Sequence, residues 1–176
     1  MNEFVKVLYD EHDIIISAIE IAKKTDELIE KDPVKFEYIL GQLIHFFRQY
    51  ADRFHHFKEE EILFPEMKQK NEMIGLGIIH EMLDNHYEFR GLIKQIEHQV
   101  VLKKHKEAYA LLYEYSEKLL DHIAVENDEL FLMTEQLFDD AELERIQFRF
   151  EDCDRDLGYE SKEELKNSLQ LLIELF

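Results

Sequence analysis

The residues best suited to chemistry come as a repeated pair. His55 and Glu59 are followed by Leu63-Phe64, and His122 and Glu126 by Leu130-Phe131, so residues 55–64 and 122–131 align without a gap. On an α-helix, residues four apart stand on one face, so each pair presents an imidazole beside a carboxylate. A single such pair is ordinarily a solvent-exposed contact. Two matched copies point instead to two helices offering nitrogen and oxygen to a shared metal centre. A second pair, His56 and Glu60, overlaps the first copy and lies about 100° further round an α-helix. The gapless match selects His55 and Glu59. His56 then reads as a neighbour of the ligand set or as a surface residue.

Two more histidines share this setting. His12 lies within the stripe Val5, Leu8, Ile15, Ile16, Ile19, and His86 within Ile79, Met82, Leu83, Phe89, Ile93, both with the 3, 4, 7 spacing of a buried helix face. A lone histidine on an apolar stripe is ordinarily a satisfied core residue. Here four successive helices each supply one, which makes His12, His55, Glu59, His86, His122 and Glu126 the predicted metal ligands. Buried carboxylates are costly unless coordinated or paired. Nitrogen and oxygen ligands without thiolate suit iron, manganese or zinc, and bridging carboxylates favour two ions over one.

Composition narrows the function classes. The 176 residues contain 40 Asp and Glu against 21 Lys and Arg, a formal net charge of -19, which argues against nucleic acid as a partner. With only 5 Gly and 2 Pro, and Leu, Ile, Glu and Lys abundant, the chain is predicted to be all-α. The single Cys153 excludes an intrachain disulfide and suits a reducing compartment. Glu3, Lys6 and Asp10 interrupt any signal-peptide core, and no apolar run is long enough to span a bilayer. The expectation is a cytoplasmic protein with no membrane partner.

The helices that must position these residues are legible in order. Helix one is predicted over 2–31. Asp32-Pro33 starts helix two, with Asp as N-cap and Pro at the first position. The stretch 71–77 is predicted to be a loop, followed by helix three over 76–101. Lys103-Lys104-His105-Lys106 marks the turn into helix four, whose inner side carries Leu111, Leu112, Tyr115, Leu119, Val125 and Leu130. Asp139-Asp140 caps a further segment that Gly158 ends. Ser161 to Glu164 reads as a capping box for a last helix to Phe176. One domain is expected over 1–176, with a bundle over about 2–137 and a C-terminal helical extension over 139–176. The extension carries no histidine and reads as structural or as an interaction surface.

Residue phrases as well as spacings then resemble a known family. His55-His56-Phe57-Lys58-Glu59-Glu60-Glu61-Ile62-Leu63-Phe64-Pro65, Asp121-His122-Ile123-Ala124-Val125-Glu126-Asn127 and Met82 to Arg90 around His86 are similar to the hemerythrin-like (HHE cation-binding) family. That resemblance implies an antiparallel up-down four-helix bundle around a non-heme di-iron centre, two iron ions bridged by an oxo or hydroxo group. It also implies a small diatomic or peroxide ligand. There are two departures: oxygen-carrying members place a second histidine one turn after the helix-three histidine, where this chain has Arg90, and they end with a longer His-to-carboxylate spacing than His122 to Glu126. Fewer nitrogens at one iron and a more open pocket follow as expectations. Arg90 is expected to point inward to Glu59, Glu126 or a bound anion. These readings favour a protein that binds or senses oxygen, peroxide or nitric oxide, or handles redox and iron, rather than an enzyme. Two other classes remain: a metal-free helical interaction protein, and a metallohydrolase built on His80-Glu81-x-x-Asp84, where Asp84 replaces the second histidine that a zinc-protease helix needs.

Overall fold

The computed structural model describes residues 3–175, and no strand occurs among them. The predicted helix start at Asn2 and end at Phe176 lie outside the described residues. Helix α1 is Glu3–Lys24, extended by a 3-10 turn Thr25–Glu27 and the short turn Leu28–Lys31. Helix α2 is one unbroken rod over 33–70, built from Pro33–Phe46, Phe47–His56, Glu59–Leu63 and Phe64–Lys70. The Asp32 side chain accepts from Lys35 N–H and so caps it as predicted. Helix α3 is Ile78–Val101, and α4 runs over 105–137 as His105–Val125, Glu126–Leu130 and Phe131–Leu137. Helices α5 (Asp140–Leu157) and α6 (Tyr159–Ile173) follow.

Long-range pairs fix the direction of each helix. Glu60 meets His86 and Arg48 meets Glu97, so α2 and α3 are antiparallel. His86 meets His122 while Glu88 meets Lys118, so α3 and α4 are antiparallel as well. Tyr9 donates to the Asn127 carbonyl and Tyr109 to the Lys23 carbonyl, which sets α4 antiparallel to α1. The result is the antiparallel bundle the resemblance implied. Between α3 and α4 the chain turns at Lys103, a non-glycine residue at φ 58°. Its N–H bonds the Val100 carbonyl and the Lys104 N–H the Gln99 carbonyl, which closes the end of α3 as a Schellman motif.

The core falls into two apolar clusters. One gathers Ile15, Phe36, Leu40, Phe47, Ile96, Leu112 and Leu119; the other gathers Leu8, Leu63, Phe64, Met82, Phe131 and Phe150. The predicted ligands sit in the layer between them. Helices α5 and α6 together cover α2 along its length. Arg145 and Arg149 of α5 pair with Glu66, and the Lys35 ammonium donates to the Leu175 carbonyl just beyond α6. Their apolar faces divide accordingly, with Phe150 in one cluster and Leu165, Leu169 and Leu172 in the other. The joint is Gly158, at φ +106°, a region that glycine enters without a Cβ clash.

Two local expectations are corrected. The stretch 71–77 is not all loop, because Asn71 accepts from Met73 N–H and caps a short helix Glu72–Leu76. The capping box falls at Asp139 and Glu142, where both reciprocal bonds form, whereas α6 starts at Tyr159, ahead of Ser161, with no side-chain cap. Among the described residues no helix is long and apolar enough to cross a membrane.

Candidate metal centre

Four helices deliver ligand-type side chains into the layer between the clusters. His12 comes from α1, His55, His56 and Glu59 from α2, His86 from α3, and His122 and Glu126 from α4, all buried. His12 Nε2 and His55 Nε2 lie 2.8 Å apart, and His86 Nε2 and His122 Nε2 lie 3.1 Å apart. The two carboxylates stand between these imidazole pairs. Glu59 places Oε1 3.5 Å from His55 Nε2 and Oε2 3.6 Å from His86 Nε2. Glu126 places Oε2 3.2 Å from His12 Nε2 and Oε1 3.3 Å from His122 Nε2. Each glutamate therefore spans from one imidazole pair to the other. Two donor groups result: His12, His55, Glu59 and Glu126 in one, and His56, His86, His122 and Glu59 in the other, with donor atoms within 4.8 Å of one another in each.

These residues fit metal ions. Ligands about 2.1 Å from one ion and at right angles lie about 3.0 Å apart, close to both imidazole separations. All four oxygens of Glu59 and Glu126 are buried without a hydrogen-bond partner. Such oxygens are costly in an apolar core, and cations between the imidazole pairs would satisfy all four at once. The protonation states agree. Burial, and then the neighbouring Glu126 carboxylate, push the Glu59 carboxyl well above its ordinary range, and burial pushes Glu126 up to about 8. Burial lowers the pKa of His12, His56, His86 and His122, and that of His55 to about 3. The imidazoles are therefore neutral at neutral pH, the form that ligates.

A second ring of residues orients the imidazoles, and it has a rule. His12 Nδ1 is 2.8 Å from Asn127 Oδ1, His55 Nδ1 2.8 Å from Glu11 Oε2, and His86 Nδ1 2.8 Å from Glu60 Oε1. The Asn85 amide lies 3.4 Å from His122 Nδ1. Each partner is the sequence neighbour of a donor on its own helix: Asn127 beside Glu126, Glu11 beside His12, Glu60 beside Glu59, Asn85 beside His86. Each reaches the histidine of the next helix, so α4 orients α1, α1 orients α2, α2 orients α3, and α3 orients α4. The three oxygen acceptors hold the proton on Nδ1 and leave the Nε2 lone pair aimed at the centre. Sequence reasoning missed all four. The available signal was a polar residue directly adjacent to every predicted ligand.

The Hemerythrin HHE cation binding domain family matches residues 3–134. The chain belongs to this family. The matched stretch contains both donor groups and all four orienting residues of the hemerythrin domain, and it ends before α5 and α6. No curated protein matches the chain, and no solved structure does.

Within this domain the structure brings together His12, His55, Glu59, His86, His122 and Glu126, and it corrects the reading of His56. That residue is buried, and its ring stacks on His86 with centroids 3.8 Å apart. The physical reason is the winding of α2. Phe47–His56 and Glu59–Leu63 are π-helical, so each residue turns through less than the α-helical angle and adjacent histidines can share an inward face. In α4 the π segment Glu126–Leu130 begins on the matching glutamate, so the sequence repeat is also a backbone repeat. Pro65 removes one donor next to the α2 segment, but α4 unwinds without a proline, so proline is not the shared cause.

His56 also alters the expected nitrogen count. The group that includes helix three has three imidazoles despite Arg90, and the His12–His55 group has two. Arg90 does not pair with Glu59 or Glu126. Its guanidinium bonds Asp52 and Glu60 at 2.6 to 2.8 Å with 38% of the side chain exposed, so it braces the carboxylate that orients His86. Arg90 and His56 nevertheless line one cavity of about 370 Å³, walled by Phe47, Phe89 and Tyr115. The His80-Glu81-x-x-Asp84 motif faces solvent, where His80 and Asp84 lie 3.7 Å apart and pair with each other.

Proposed function

We propose that the chain is a non-heme di-iron protein that binds a small oxygen-derived or nitrogen-oxide ligand, such as dioxygen, peroxide or nitric oxide, and senses or handles it. The observation carrying this reading is the pair of glutamates, each with one oxygen toward each imidazole pair and none of the four oxygens otherwise bonded. Five imidazoles and two carboxylates without thiolate suit iron, with manganese or zinc as the alternatives. When bound, iron would supply a redox couple and open positions for a diatomic ligand. The protein residues hold and orient the ions, keep the imidazoles neutral, and surround the layer with two apolar clusters that exclude water. The cavity beside His56 supports a route for a small molecule to the three-imidazole group. Binding or sensing in the cytoplasm, with no nucleic-acid or membrane partner, completes the reading.

Metal analysis of the purified protein, with near-ultraviolet and visible spectra under air, under nitrogen and with nitric oxide or azide, tests it. Two iron ions per chain with charge-transfer bands that respond to these ligands are expected. Saturation with ferrous iron at one equivalent would overturn the two-ion reading, and iron bands indifferent to every ligand would overturn the ligand-binding one. The metal-free interaction protein is disfavoured by the same four bare oxygens. The surface position of His80 and Asp84 disfavours a metallohydrolase built on them.

A further inference from the structure

The two donor groups differ in what lies behind them. Behind His86, the orienting carboxylate Glu60 is 21% exposed and is braced by the part-exposed Arg90. Behind His55, the orienting carboxylate Glu11 is buried at 3% exposure and is braced by two buried ammonium groups. Glu11 Oε2 accepts from His55 Nδ1–H, while Glu11 Oε1 accepts from both Lys58 and Lys162. The same two ammonium groups hold Asp154, with Lys58 Nζ 3.1 Å from Oδ1 and Lys162 bonded to Oδ2. Two carboxylates and two ammonium groups thus balance in a nearly dry space. The Lys162 ammonium also lies 5.9 Å and 5.8 Å from the ring centres of Tyr50 and Phe54.

Asp154 and Lys162 stand on α5 and α6, beyond the matched family domain. They flank the Gly158 joint, which stands level with the metal layer between the part of the extension that packs on one apolar cluster and the part that packs on the other. The Lys162 N–H bonds the Gly158 carbonyl, so the kink and the lysine are one local unit. This placement decides what Lys162 does. A buried carboxylate hydrogen-bonded to a ligand imidazole strengthens that imidazole as an electron-pair donor. An ammonium on the other carboxylate oxygen draws charge away and weakens the effect.

We propose that Lys162 is a positioning residue for the His12–His55 metal position, acting through Glu11, which makes the C-terminal extension part of the metal centre. The inference rests on the metal-centre reading above. It distinguishes the two positions: water can screen the charges braced behind His86, and the charges behind His55 are buried and shared between Lys58 of α2 and Lys162 of the extension.

The test is a titration of metal-free full-length protein with cobalt(II) under nitrogen at slightly alkaline pH. A competing chelator resolves the two affinities, and circular dichroism checks that each variant is folded. Glu11→Gln removes the charge behind His55 and should weaken one position about tenfold or more. Asp154→Asn touches neither Glu11 nor His55. It should weaken the same position several-fold, because both ammonium groups then act on Glu11 alone. Lys162→Met should tighten that position several-fold, the opposite sign. The other position should stay within about twofold in all three, since Glu60 and Arg90 are untouched. Should Lys162→Met not fold, Lys162→Gln, which also removes the charge but keeps a polar tip for Glu11, takes its place with the same expected tightening, and its sign against Asp154→Asn decides. Loss of affinity of one sign in all variants, or equal movement of both positions, would overturn the proposal in favour of mere loosening. A parent protein that takes up no cobalt would overturn the metal reading instead.

Discussion

Replacing Glu126 by glutamine should reverse its effect on stability according to whether metal is bound. In the metal-free protein burial pushes the Glu126 carboxyl up to about 8, from an ordinary value of 4.5. A raised folded pKa means that the stability tied to the protonated form is complete below pH 4.5 and is lost as pH rises through 8. Each pH unit in which the folded state keeps a proton that the unfolded state has released costs about 1.4 kcal/mol. Between pH 6 and 9 the parent therefore loses about 3 kcal/mol that Glu126→Gln does not, nearly all of it by pH 8. The buried histidines, whose lowered values raise stability as pH climbs toward 6.5, are present in both proteins and cancel in the difference. The assay is urea unfolding of chelator-treated parent and variant at pH 6, 7, 8 and 9. The variant should gain steadily on the parent. With saturating metal the order should invert, because the parent's carboxylates are then the bound form and only the folded state binds. A stability difference that stays constant from pH 6 to 9 without metal would show that Glu126 is solvated, and the account of its four-oxygen environment would fail.

Other substitutions separate the roles of neighbouring residues. His55→Ala and His56→Ala should each lower metal content, as read by elemental analysis, because each takes an imidazole from a different donor group; an unchanged His56→Ala protein would restore the α-helical reading of α2. Arg90→Ala removes the cation that shares Glu60 with His86, so metal at the His86 position should hold as tightly or up to about twofold more tightly, with a stability loss of about 1 kcal/mol or less because the guanidinium is part-exposed; a tenfold weakening there would refute the charge argument. Gly158→Ala places a Cβ at φ +106° and 3.3 Å from Ser161 Oγ, which should cost about 1–2 kcal/mol in urea unfolding; a neutral result would mean the joint relaxes freely.

The helical order and the ligand helices were legible because apolar periodicity and capping act within a few residues. Asp32, Pro33 and Asp139 mark their helices by local hydrogen bonding alone, and His12 and His86 sit on stripes that a 3.6-residue repeat exposes. His56 was misread because that same repeat was applied where the backbone is π-helical, a state that side-chain spacing does not announce. Arg90 was placed too deep for another reason: its stem can swing either way from α3, and Asp52 and Glu60 on a different helix hold its guanidinium at the cavity beside His56 rather than against Glu59 or Glu126. Ser161 was misread as a cap because Gly158 turns the chain three residues earlier. Lys58 and Lys162 look like ordinary surface lysines in sequence. Only the packing of α5 and α6 against α2 buries them.

The charge balance in the metal layer links these points. The chain carries a formal net charge of -19, yet nearly all of its acid groups can reach water or a cation. Glu11 and Asp154 are matched by Lys58 and Lys162, and Glu60 and Asp52 are served by Arg90. Glu59 and Glu126 alone have buried carboxylate oxygens with no donor among the described residues. Protonation relieves them when metal is absent, which is why their pKa values rise. Bound cations would relieve them better, since the buried oxygens would then face positive charge and release their protons. Metal affinity should therefore climb with pH through the range in which these carboxyls ionise. The extension matters for the same reason: by neutralising Glu11 it confines the uncompensated charge to the two residues that span both imidazole pairs.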